Sequence, residues 1–146
     1  MTNVSSFGQA QGVQVMARLD SPTYRPLQRL GLTVDITIDA GLHVYGQPIP
    51  EGFIPVSIDV APLAGLVVET PEFPVPALHR LEGLEEDFYI YEGTLTVTIP
   101  LTFSQAVADP TISLTVGYQA CSDAAGCFMP QKIQLRLPVQ AEGHTG

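Results

Sequence analysis

Thr94-Leu-Thr-Val-Thr-Ile-Pro-Leu-Thr-Phe103 is the stretch that decides the fold. Leu95, Val97, Ile99, Leu101 and Phe103 alternate with Thr94, Thr96, Thr98 and Thr102. Successive side chains of a strand point to opposite faces, so this pattern makes one apolar face and one polar face. Such alternation is the mark of an antiparallel strand packed on one side only.

The same rhythm recurs on both sides of that stretch. Val13, Val15, Ala17 and Leu19 alternate with Gln14, Met16 and Arg18, and Leu32, Val34, Ile36 and Ile38 alternate with Thr33, Asp35, Thr37 and Asp39. Ile112, Leu114 and Val116 alternate with Thr111, Ser113 and Thr115, and Ile133, Leu135, Leu137 and Val139 with Lys132, Gln134 and Arg136. Residues 53–60 and 65–69 are shorter strand candidates. No segment sustains helical spacing, and a single turn over 104–108 is the one helical candidate. Prolines at 22, 26, 48, 50, 55, 62, 71, 74, 76, 110 and 130 punctuate the gaps. Seven or so strands separated by turn signals predict an all-β fold, an immunoglobulin-like antiparallel β-sandwich. Residues 69–93 fit least well. They read as an acidic, aromatic loop, and loops on rigid sandwiches are where function concentrates.

The chain has 146 residues, which suits one domain. Residues 11–140 are read as that domain, residues 1–10 as a disordered or vector-derived start, and residues 141–146 as a flexible tail. A chain of this size buries roughly two-thirds of its unfolded surface, so it needs no covalent staple to fold. The formal net charge is -9, with only 14% charged residues. That balance argues against nucleic-acid partners and anionic membrane surfaces, which attract Lys and Arg. No apolar run approaches the ~20 residues of a membrane span. Residues 1–7 have neither a basic nor an apolar region and do not read as a signal peptide, so a mature or excised domain, or a cytosolic protein, is expected.

The two cysteines, Cys121 and Cys127, lie in Tyr118-Gln-Ala-Cys-Ser-Asp-Ala-Ala-Gly-Cys-Phe-Met-Pro130. One reading is a structural disulfide, which closing so short a loop would make worth about 2 kcal/mol. Another is a pair of half-buried thiols. A third is a dithiol–disulfide couple, which needs two sulfurs that can meet, one accessible and one that resolves. Ala124, Ala125 and Gly126 would allow a tight bend and a close approach by a partner. Spacing alone favours the structural bridge. A metal site is disfavoured because His43, His79 and His144 are scattered in sequence, and no cofactor motif is present. Ser122 and Asp123 lack the Gly-x-Ser-x-Gly frame of a hydrolase. Without Trp, a carbohydrate-binding face lacks its commonest platform.

The cysteine segment resembles the active-site segment of the N-terminal periplasmic domain of the thiol:disulfide interchange protein DsbD. Gly41-Leu-His-Val-Tyr45 resembles that family's Gly-aromatic-x-x-Tyr strand. Glu86-Asp-Phe-Tyr89 resembles its acidic Phe-Tyr cap loop, and all three segments come in the family's order. The resemblance runs from about Val13 to Val139. His43 stands where the family often has an aromatic, and Phe128-Met129 replaces a Tyr-Pro or similar pair.

The resemblance implies an immunoglobulin-like sandwich that passes electrons by thiol–disulfide exchange as a protein-disulfide reductase. The implied donor is a thioredoxin-like protein or domain. The implied acceptors are periplasmic partners such as disulfide isomerases and the thioredoxin-like proteins of cytochrome c maturation. It implies that Cys127 forms the mixed disulfide and that Cys121 resolves it. Phe88 would cover the sulfurs, with Glu86, Asp87, Tyr89, Tyr45 and His43 around them. The negative charge of Glu86 and Asp87 and an apolar ring over the sulfurs would both disfavour a thiolate. The alternative is an immunoglobulin-like interaction module with a purely structural disulfide. A periplasmic or otherwise extracytoplasmic location is expected. The membrane and thioredoxin-like domains of full-length DsbD are absent from these residues.

Overall fold

The computed structural model describes residues 5–80, 87–108 and 110–142. The strands in chain order are β1 (Ser5–Ala10), β2 (Val13–Leu19), β3 (Thr23–Tyr24), β4 (Arg29–Ile38), β5 (Val44–Tyr45), β6 (Ser57–Val60) and β7 (Leu66–Val68). They continue as β8 (Ala77–His79), β9 (Phe88–Tyr91), β10 (Thr94–Phe103), β11 (Thr111–Tyr118), β12 (Cys121–Ser122), β13 (Gly126–Cys127), β14 (Gln131–Pro138) and β15 (Gln140–Ala141). No helix occurs among the described residues, and Ser104–Gln105 forms a bend where a helical turn was expected.

Two sheets face each other as an immunoglobulin-like sandwich. One has five strands in the order β1-β2-β4-β10-β7, and the other three in the order β14-β11-β6. The alternation in the sequence is the alternation in burial. Val13, Val15, Ala17 and Leu19 of β2 point inward and meet Leu32, Val34, Ile36 and Ile38 of β4, and Leu95 to Phe103 of β10 continue the same face. Ile112, Leu114 and Val116 supply the opposing face together with Ile133, Leu135 and Leu137. Tyr24 stacks on Phe103 with centroids 4.1 Å apart, and its hydroxyl donates to the Val107 carbonyl at 2.9 Å.

Pro100 lies inside β10 opposite Gly31 without breaking the strand. Its carbonyl accepts from the Glu69 amide at 3.0 Å, so its nitrogen also faces the β7 side. The missing donor therefore removes no bond to β4.

Ser5–Ala10, expected to be poorly ordered, pairs antiparallel with β2 along its whole length. A side chain at Gly8 would place its Cβ 2.7 Å from Ile133 Cγ2, so glycine is what lets β1 close over β14. At the other end, Gln140–Ala141 lies parallel to Thr23–Tyr24.

The stretch 69–93, read as a loop, contains two strands. β8 and β9 join β5 in a small antiparallel sheet of order β5-β9-β8. β5 and most of β9 are buried, whereas Ala77 and Leu78 of the edge strand β8 are exposed. Val44 and Tyr91 face the main core, whereas Tyr45, Phe88 and Ile90 form a second apolar cluster with Cys121. Burial on both sides removes the polar half of the period-two pattern, which is why the sequence did not display β9.

Candidate functional site

β11 ends at Tyr118, and the chain then enters a tight hairpin in which Cys121 stands opposite Cys127 and Ser122 opposite Gly126. Gly126 has φ +78°, a conformation glycine adopts without steric cost. The Ser122 hydroxyl accepts from the Ala125 amide at 2.8 Å, and the Phe128 amide donates to the Ala120 carbonyl at 2.9 Å. These bonds add to the disulfide in shaping the hairpin. Cys121 and Cys127 are joined in a disulfide, with Cα atoms 3.9 Å apart.

The two sulfur-bearing residues differ in exposure. Cys121 is 2% exposed and belongs to the cluster of Tyr45, Phe88 and Ile90, with Ile49 and Phe53 packed against it. Cys127 is exposed. Phe88 is 1% exposed, its ring 5.6 Å from that of Tyr45 and 5.0 Å from that of Phe53. The Tyr45 hydroxyl lies 4.0 Å from Cys127 Sγ.

β5 is preceded by His43, which forms an antiparallel bridge with Cys121. The His43 amide donates to the Cys121 carbonyl at 2.9 Å, and the Cys121 amide returns the bond at 2.9 Å. The His43 side chain is buried, and its Nε2 has no hydrogen-bond partner among the described residues. Its ring lies 5.4 Å from Tyr45 and 5.3 Å from His79. His79, at the end of β8, holds Asp123 of the cysteine loop through Nε2 at 3.0 Å from Oδ1. Among the described residues, no group of three or more His, Cys, Asp or Glu is placed to hold a metal ion.

Burial lowers the pKa of His43 from its ordinary value, and the neighbouring His79 adds to this, while Asp123 and Glu92 pull the other way. Burial raises the pKa of Tyr45, and the Asp123 charge adds to it, so the phenol stays protonated as a donor.

A family model described as the N-terminal part of the thiol:disulfide interchange protein DsbD matches residues 13–138. The chain belongs to the DsbD N-terminal domain family. A relative, the thiol:disulfide interchange protein DsbD of Cronobacter sakazakii, is 32% identical over 108 residues, which are 71% of this chain and 16% of that protein. The chain thus spans about one-sixth of the length of that relative, 16% of it. Among solved structures, the N-terminal periplasmic domain of ScsB from Proteus mirabilis superposes with a TM-score of 0.68 at 15% identity, covering 97% of this chain and 55% of that one. The reduced DsbD N-terminal domain of Neisseria meningitidis superposes at 0.53 with 16% identity, over 95% of this chain and 86% of that one. At these identities the likeness carries the immunoglobulin-like fold and nothing finer.

Against the DsbD pattern, the sequence-predicted residues fall into three groups. Cys121, Cys127, Tyr45, His43 and Phe88 come together at one end of the sandwich. Asp87 and Tyr89 do not join them. Asp87 accepts from Arg80 Nε at 2.9 Å, across the two ends of the segment 81–86, so its charge is directed to that guanidinium rather than to the sulfurs. Tyr89 is opposite Leu78 and, by strand alternation, faces away from Phe88. Glu86 lies outside the described residues. His79 and Asp123 were missed as site residues. Nothing in their spacing of 44 residues signals the contact, which exists because β8 reaches the cysteine hairpin.

Proposed function

We propose that this DsbD-family domain performs thiol–disulfide exchange, with Cys127 forming the mixed disulfide and Cys121 resolving it. The observation that carries the reading is the unequal burial of the two sulfur-bearing residues, Cys127 exposed and Cys121 2% exposed. A donor thiolate attacks Cys127 Sγ, the Cys121–Cys127 bond breaks, and Cys121 leaves with the electron pair. A second donor thiol completes the two-electron reduction. Onward transfer runs in reverse: the Cys127 thiolate opens an acceptor disulfide, and Cys121 then displaces the acceptor from Cys127. Tyr45, kept protonated, stands where it can donate to the Cys127 sulfur.

Phe88 acts as the cap. Its buried ring packs in the cluster that contains Cys121 and supports a shielding role for the resolving sulfur. The hairpin's own hydrogen bonds do not involve the sulfurs and support their staying adjacent after reduction, as a reversible couple requires. The proposed partners, donor and acceptor alike, are thioredoxin-like proteins or domains in an extracytoplasmic compartment. A DsbD N-terminal domain of Neisseria meningitidis has been solved in complex with a PilB N-terminal domain, and this chain superposes on that structure at a TM-score of 0.52 with 16% identity, covering 99% of this chain and 87% of that one. No helix among the described residues is long and apolar enough to cross a membrane.

The test is mixed-disulfide trapping with a thioredoxin-like domain. Cys121→Ser is expected to accumulate a covalent complex through Cys127, and Cys127→Ser to form none. If wild-type protein exchanges with no thioredoxin-like partner and loses its fold on reduction, the disulfide is a staple and the proposal fails.

A further inference from the structure

A cleft of about 310 Å³ opens beside the disulfide, lined by Leu42, His43, His79, Glu92, Ser122 and Asp123 among others. It reaches Ser122, Asp123 and Ala124 of the cysteine hairpin. His43 stands at its wall, 6% exposed, with Nε2 buried and unpartnered among the described residues. An unpartnered buried polar atom is costly and calls for a reason.

The register supplies one. His43 is directly opposite Cys121, and Cys121 is directly opposite Cys127. Directly opposed residues of antiparallel strands carry their side chains on the same face, with Cβ atoms about 5 Å apart. Imidazole, buried sulfur and exposed sulfur therefore form one row across three chain segments. Cys121, at 2% exposure, has little contact with water through which to gain or lose a proton. His43 lines the cleft, and its ring is 5.3 Å from that of His79, which is held by Asp123, whose side chain is 56% exposed.

We infer that His43 is the general base and acid for the Cys121 thiol, an inference that rests on the reading of Cys121 as the resolving sulfur. In the resolving step His43 takes the Cys121 proton. The Cys121 sulfur attacks Cys127 Sγ, the bond between Cys127 and the partner breaks, and its electron pair leaves on the partner's sulfur. The partner is reduced by two electrons and the domain becomes the disulfide. When the disulfide is next reduced, Cys121 leaves as a thiolate and recovers its proton from His43. His43 exchanges the proton with solvent through the cleft that it lines.

The charges around His43 fit this role. Glu92 and Asp123 favour its protonated form; His79 and burial oppose it, and burial dominates. Cys121, Cys127 and Tyr45 complete the titratable groups of its row and strand. The imidazole is thus neutral near pH 7, in the form that accepts a proton.

The test mixes reduced domain with one molar equivalent of dithionitrobenzoate. The first thionitrobenzoate is released when Cys127 opens the reagent, the second only when Cys121 displaces the mixed disulfide. His43→Gln is expected to leave the first phase unchanged and slow the second near pH 7 by up to about 30-fold, the ceiling set by an unassisted thiol of pKa about 8.5, which holds only about 3% thiolate there. The deficit should close as pH rises toward the ordinary thiol range. His43→Phe, which keeps a ring in place, should behave as His43→Gln does. A second phase of wild-type rate in either variant, or a deficit that does not change with pH, overturns the inference. A wild-type protein that releases a single thionitrobenzoate removes Cys121 as the resolving sulfur, and with it the functional proposal.

Discussion

Replacing Phe88 by alanine in a Cys127→Ser background isolates what the ring does for Cys121. Cys121, the single thiol of that parent, is 2% exposed in the disulfide form and lies in one apolar cluster with Tyr45, Phe88 and Ile90. For a reagent to reach it, the cluster must open, which means exposing Phe88. Taking a buried phenylalanine into water costs about 1.5–3 kcal/mol. At about 1.4 kcal/mol per factor of ten, the reactive open form is populated about 10- to 100-fold less with the ring than without it. Hydration of the thiol in the alanine variant also favours the thiolate, in the same direction. The assay is the second-order rate of alkylation by iodoacetamide, followed by mass spectrometry. The expected result is a 10- to 100-fold acceleration. The same change should cost about 3–5 kcal/mol of local or global stability, so rates are compared where circular dichroism shows both proteins folded. A rate within about threefold of the parent would refute the reasoning, since it would mean that opening does not require exposing Phe88.

Two further outcomes concern the scaffold and its electrostatics. Gly8→Val would drive a Cβ into Ile133, 2.7 Å away, and is expected to cost about 1–3 kcal/mol through overpacking, read as a fall of several degrees in the thermal midpoint. His43 has a folded-state pKa below its ordinary value of 6.5, so the unfolded chain binds more protons in the window between them. Stability is therefore fully present above about pH 6.5 and is lost as pH falls through that window, and His43→Phe should flatten this slope in thermal midpoints measured across it.

The central strands were legible because each meets water on one side. β2, β4, β10, β11 and β14 all coincide with alternating segments, and alternation is what a half-buried strand must display. β1 was not legible: its outward residues include the exposed Phe7, and its inward ones are the small Ser6, Gly8 and Ala10. β9 was hidden for the opposite reason, since Phe88, Ile90 and Tyr91 are all buried and no polar partner marks a face.

At the site, the cysteine segment, the Tyr45 strand and Phe88 could be picked out because they are local runs with a recognisable composition and order. The unequal burial of the two cysteines, whose roles only the resemblance implied, could not. Six residues of sequence place Cys121 and Cys127 together, but burial is a property of what the chain brings from elsewhere. It is the β5-β9-β8 sheet that carries Tyr45, Phe88 and Ile90 onto Cys121 and leaves Cys127 outside.

Local periodicity and spacing thus determined the sandwich, the hairpin and the proximity of the two sulfurs, because each depends on residues within a few positions of one another. Tertiary structure alone decided which cysteine faces solvent, where the charge of Asp87 is directed, and that His43, His79 and Asp123 share one cleft. Those outcomes depend on strand register between segments tens of residues apart, and register is set by the packing of the whole sheet rather than by any one stretch of chain.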